Sequence, residues 1–237
     1  MKPKRGLYFA GALAAIFVLA GSLLDIIASI ILGGDLNALP ETAIERFAQI
    51  RTNPLLGMYN LDFLNLITVS VMILCTLALC LAHRKTYPAE SAFALVIAVI
   101  GTAIFASANP ALPMLDLSHK YFAATPERSS LLAAAGEAIL ARGEHGGAGV
   151  FPGFAFPIFS NVVLSFLMLM GKIFGKACAW FGIIGNACLF VYVCLVTFVP
   201  GTRVAVTAIA APGGILAMIW LALSAKGLFR MEGNDEK

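Results

Sequence analysis

Charge is what this chain has little of. Only 12% of its 237 residues are charged, against roughly 25% in an average soluble domain. The net charge of +3 is small and its basic residues lie scattered between apolar runs, which argues against nucleic acid as a partner. Histidine is scarcer still, and His83, His119 and His145 all fall outside the long apolar runs. That argues against haem held between spanning helices, and against a membrane serine protease with an intramembrane histidine base. No His-Glu-x-x-His motif, phosphate-binding glycine loop or Cys-x-x-Cys pair is present, so the usual signatures of zinc, nucleotide and dithiol chemistry are missing. The five cysteines, Cys75, Cys80, Cys178, Cys188 and Cys194, sit inside apolar runs. They read as small buried hydrophobes, with no disulfide expected. His119 and His145 share a side with Asp116, Glu137 and Glu144, but at no metal-ligand spacing, so neither a metal nor a cofactor is expected.

Apolar residues, by contrast, make up 60% of the chain. They are gathered into six runs, each near the roughly 20 residues that a helix needs to cross a bilayer core of about 30 Å. The spans are placed at 7–32, 55–82, 91–107, 151–170, 177–199 and 204–225. The first run is too long for the apolar core of a signal peptide, about 7–15 residues, and no clear cleavage site follows. It is therefore read as a retained helix. The N-terminal side carries Lys2, Lys4, Arg5, Arg84, Lys85, Lys172, Lys176, Lys226, Arg230 and Lys237, ten basic residues against six on the other side. The positive-inside tendency then puts both termini in the cytoplasm, and an even number of spans agrees with their sharing one side. Pro40–Arg51 places Ile44, Phe47 and Ala48 on one helical face, and Thr125-Pro126-Glu127 reads as a helix start leading into a stripe of Leu131, Leu132, Ala135, Ala138 and Ile139. Both segments predict short amphipathic helices in the two outer loops, lying on the membrane surface or across the helix ends, or forming a lid over a cavity that opens outward.

Three segments together carry a resemblance. They are Arg5-Gly6-Leu7-Tyr8 at the start of the first helix, the loop LPETAIERFAQIRTNPLL at 39–56 before an Asp-bearing second helix, and ATPERSSLLAAAGEAILA at 124–141 before the fourth. In this ordering the chain resembles a bacterial family of six-helix membrane proteins, the domain of unknown function numbered 4386. The resemblance covers nearly the whole chain. It implies a six-helix bundle and brings no activity, substrate or catalytic residue. The stretch Gly143-Glu144-His145-Gly146-Gly147 departs from the pattern.

Carboxylates inside a membrane are costly and mark interior or wet positions. Asp25 and Asp62 both fall within predicted spans, on the order of 10 Å below the outer face by helical rise. Tyr59 and Asn65 flank Asp62 at three-residue spacing, which predicts one shared helix face. Asn161 and Asn186 are polar groups nearer mid-membrane. As structure, Asp62 is bonded by Asn65, Tyr59 or a backbone group and serves as interhelical glue. As function, two acids with no Lys or Arg in the spans bind a cation or relay protons. An unpartnered Asp62 would have a raised pKa and stability greatest at acid pH. Ala211-Pro212-Gly213-Gly214 in the last span predicts a kink, and Gly11 with Ala15 predicts close helix packing.

The resulting expectation is an all-α integral membrane protein, 1–237 forming one six-helix domain in the bacterial cytoplasmic membrane. Its function is expected to be non-enzymatic, accessory or lipid- or small-molecule-binding. One alternative is a small transporter or channel using Asp62, with Asp25, Asn65 and Asn161, as a cation or proton site. Another is a membrane enzyme with catalytic groups around His119, Glu137 and His145. Its partners would be membrane lipid and a small molecule or cation.

Overall fold

A chain of apolar runs cannot leave backbone N–H and C=O groups facing lipid, so each run must close its hydrogen bonds internally as a helix. The computed structural model describes residues 5–31, 40–199, 201 and 203–234; the predicted end of the first span at Leu32, and Lys2, Lys4 and Lys237, lie outside them. The described residues contain helices and no strand. Six helices are long and apolar enough to cross a membrane: α1 (Arg5–Ile31), α4 (Phe63–His83), α5 (Pro88–Ala108), α8 (Phe151–Gly171), α9 (Lys176–Phe198) and α10 (Arg203–Asn234). Four shorter ones lie between them: α2 (Ala43–Thr52), α3 (Pro54–Tyr59), α6 (Ala111–Phe122) and α7 (Pro126–Gly143). Proline opens α3, α5, α7 and the first turn of α8, where its missing N–H costs nothing.

The long helices form a closed ring. α1 packs on α4 and α10, α10 on α9, α9 on α8, α8 on α5 and α5 on α4, while α4 also reaches α8 across the interior. The main core is built from Tyr8, Ala12 and Ala15 of α1, Leu79 of α4, Leu164 and Leu167 of α8, and Trp220 and Leu228 of α10. Small residues set the spacing. A Cβ on Gly11 would lie 2.3 Å from the Ala78 Cβ, and one on Gly182 would lie 2.1 Å from the Ser165 Oγ, so only glycine permits these approaches.

The short helices make a cap at the end where α1 finishes and α4 begins. α2, α3, α6 and α7 pack on one another around Ala43, Phe47, Ile50, Met114 and Leu140. The described chain therefore begins and ends at the opposite end. α2 starts with a capping box: the Glu45 N–H donates to the Thr42 Oγ1 at 3.3 Å, and the Thr42 N–H donates to the Glu45 Oε2 at 3.1 Å. The Ala43 N–H donates to the Glu137 Oε1 of α7 at 2.6 Å, so two helices share the work of satisfying this terminus. Thr42→Ala is expected to cost about 1 kcal/mol and to speed amide exchange in α2 while leaving α4 unchanged; equal protection in both forms would show the cap to be redundant.

Three boundaries differ from the sequence reading. The second span is split, because the chain turns at Asn60-Leu61-Asp62 between α3 and α4; Leu55 to Tyr59 belong to the cap. α6, whose Ala111, Met114 and Ser118 are buried, follows the third span after only the Asn109-Pro110 corner. α10 runs on to Asn234 and continues as a helix through Pro212.

Candidate functional site

The corner between α3 and α4 is the polar centre of the capped end. Asp62 adopts φ 60° and ψ 27° there, in the left-handed region that Asp and Asn tolerate better than other non-glycine residues. The Asn109 side chain fixes that backbone, its Nδ2 donating to the carbonyls of Leu61 at 3.3 Å and Asp62 at 3.2 Å. The Asn109 Oδ1 accepts from the Ala111 N–H at 3.1 Å, so one buried amide stitches the start of α4 to the end of α5 and the start of α6.

The Asp62 side chain does have a partner. Its Oδ2 lies 3.0 Å from the His145 Nδ1, and its Oδ1 accepts from the Asn65 Nδ2 at 3.0 Å. The far His145 nitrogen, Nε2, is 3.2 Å from the Tyr192 hydroxyl of α9, and the ring stands edge-on to Phe154 of α8, 5.0 Å between centroids. The Asp62 side chain is 17% exposed and the His145 side chain 42%. Next to His145, the Glu144 carboxylate meets the Arg46 guanidinium of α2 at 3.7 Å, with Arg46 only 2% exposed. Burial pushes the Asp62 carboxyl up, but the charge and hydrogen bond of His145, the Asn65 amide and the Arg46 charge outweigh it and hold the pKa below its ordinary value.

The segment that links α7 to α8 is thus a clasp with three consecutive grips. Gly143 lies against the Ala108 carbonyl of α5, Glu144 takes Arg46 of α2, and His145 bridges Asp62 and Tyr192. Gly146 then turns the chain at φ 81°, a conformation available to glycine at little cost.

The six residues singled out from the sequence fall into three groups. Asp62 and Asn65 are brought together as expected, but Asp62 sits outside the spanning part of its helix, which begins at Phe63. Tyr59 does not share their helix face. It belongs to α3, and its hydroxyl donates to the backbone carbonyl of Asp25 at 3.1 Å, tying the cap to α1. Burial, followed by the Asp25 carboxylate, raises the Tyr59 pKa and keeps the phenol a donor. Asp25 lies within electrostatic range of Asp62 and His145, so α1 contributes a second carboxylate to this neighbourhood. Asn161 and Asn186 pair separately along α8 and α9: the Asn161 Nδ2 donates to the Asn186 Oδ1 at 3.3 Å, and the Asn186 Nδ2 to the Gly182 carbonyl at 2.8 Å. This is an interhelical amide bridge.

The proposed trio His119, Glu137 and His145 is dispersed among separate roles. His119 is exposed on α6, Glu137 caps α2, and His145 faces Asp62. Among the described residues, no three His, Cys, Asp or Glu side chains are grouped to hold a metal ion. Sequence reasoning missed Tyr192 and Asn109, placed Arg46 only as a loop residue, and took His145 as a catalytic candidate without its pairing to Asp62. The signal for His145 was its own neighbourhood, an acid–histidine pair bracketed by glycines. Comparison with protein-family models, curated proteins and solved structures gave no match.

Proposed function

We propose that this chain is a non-enzymatic multi-pass protein of the bacterial cytoplasmic membrane, an accessory or lipid- or small-molecule-binding component, with a latched outer cap. The observation that carries this reading is the closure of the Asp62–His145 pair. Both carboxylate oxygens and both ring nitrogens are engaged within the protein, so a substrate would have to break the clasp to use either residue. Such an arrangement suits holding rather than turnover. The basic residues concentrated at the end opposite the cap support cytoplasmic termini, and the order of the two loop segments supports kinship with the six-helix family named above.

The test is amide exchange in lipid nanodiscs. His145→Ala should speed exchange in α2, α3 and α7 by about tenfold or more, since losing a bond to a charged group is worth roughly 1.5–3 kcal/mol, with α4, α8 and α9 unchanged. Unchanged cap exchange would remove the latch from the reading.

A second reading, a proton- or cation-coupled carrier, draws support from Asp25 standing in electrostatic range of the Asp62–His145 pair. Liposomes containing the protein should dissipate an imposed pH gradient no faster than empty ones. Flux that disappears in Asp62→Asn would establish the carrier instead.

A further inference from the structure

The end opposite the cap carries two open grooves that share a border. One, of about 500 Å³, runs between α1 and α10 and is lined by Ile16, Leu19, Ala222, Ala225 and Phe229. The other, of about 390 Å³, lies between α10 and the α8–α9 turn, with Ile173, Phe174 and Leu223 among its lining residues. Lys226 and Arg230 line both. They are one helical turn apart, both exposed, and lie within the apolar stretch of α10 that ends at Glu232. Among the described residues neither forms an ion pair. This end also carries Arg84, Lys85, Lys172 and Lys176, against Glu90 and Glu232.

Two exposed cations beside apolar grooves on a spanning helix are complementary to an anion held at the membrane surface. The antiparallel register, with Phe9 on Phe229 at 5.8 Å, places Ile16 near the middle of α1, so the larger groove runs from mid-membrane toward the two charges. We propose that α10 binds an anionic phospholipid, with an acyl chain in the α1–α10 groove and the phosphate between Lys226 and Arg230. The groove supplies an apolar wall and the cations supply selection for negative headgroups, at roughly a factor of five per charge. The proposal specifies the lipid-binding part of the function given above; it does not involve the latch, so cap exchange is unaffected if it fails.

The experiment titrates the full-length protein in neutral detergent with short-chain phosphatidylglycerol, short-chain phosphatidylcholine or inorganic phosphate, and reads bound lipid by native mass spectrometry. Phosphatidylglycerol is expected to bind roughly thirtyfold tighter than phosphatidylcholine. Lys226→Gln with Arg230→Gln should erase that preference, and Ala222→Trp should weaken binding of both lipids by filling the groove. Lys85→Gln with Lys172→Gln should change neither. Equal binding of the two lipids by wild type, or a preference that survives the Lys226/Arg230 double variant, would overturn the proposal. Displacement of bound phosphatidylglycerol by equimolar inorganic phosphate would overturn it in favour of a free-phosphate site.

Discussion

Asp62→Ala is expected to lower the stability of the detergent-solubilised protein by about 2–3 kcal/mol. Two losses combine. His145 and the Asn65 amide lose their shared acceptor, and alanine must adopt the φ of 60° that aspartate tolerates, at a further cost on the order of 1 kcal/mol. Asp62→Asn retains the shape and the tolerance of positive φ, so it should lose only about 1 kcal/mol. The two variants also separate by pH. Because the folded pKa of Asp62 lies below its unfolded value near 4, its contribution is complete above about pH 4 and is lost as pH falls through the folded value. Wild-type melting temperature should therefore drop on acidification below about pH 4, and Asp62→Asn should lack that part of the drop. This sign is opposite to the one expected for an unpartnered carboxylate. A wild type that grows more stable as pH falls below about 4 would refute the His145 pairing.

Gly143→Ala should have a comparable or larger effect at the other grip of the clasp. A Cβ there would lie 1.9 Å from the Ala108 carbonyl oxygen and 3.0 Å from the Pro110 Cδ. The oxygen belongs to backbone at the end of a spanning helix and has no rotamer to escape into. Relief requires α7 to move off α5, at about 3 kcal/mol, with the Arg46–Glu144 and Asp62–His145 contacts strained along with it. Gly214→Ala is the matched control, since no atom lies within 4 Å of its added Cβ; it should leave melting unchanged or raise it. If both substitutions melt alike, the close approach at Gly143 carries no stability.

The sequence made the spans legible because six apolar runs admit only one backbone solution in lipid. It made the start of the second span illegible for the same reason: Leu55, Leu56, Met58 and Leu61 extend the apolar run through a turn, and hydropathy cannot separate cap core from membrane core. α6 was hidden by the same continuity. Gly11 was readable because small residues at helix contacts have a local signature. The site was half readable. Asp62 and Asn65 are three residues apart and could be paired by helical spacing, whereas His145 is 83 residues from Asp62 and Tyr192 a further 47. Nothing local joins them; only the ring order of the helices does.

That ring order also bears on how the protein is made. Chains emerge N-terminus first, yet among the described residues α1 packs chiefly on α4 and α10 of the spanning helices. Tyr8, Ala12 and Ala15 of the first helix therefore wait for Trp220, Leu221 and Leu228 of the last before their shared core is filled. All four cap helices precede α8, so the cap can assemble while the bundle beneath it is still open. Its third tether, Tyr192, arrives only with the penultimate span. Chain order thus makes the cap available before the ring beneath it, and α10 is the stave that closes that ring on α1.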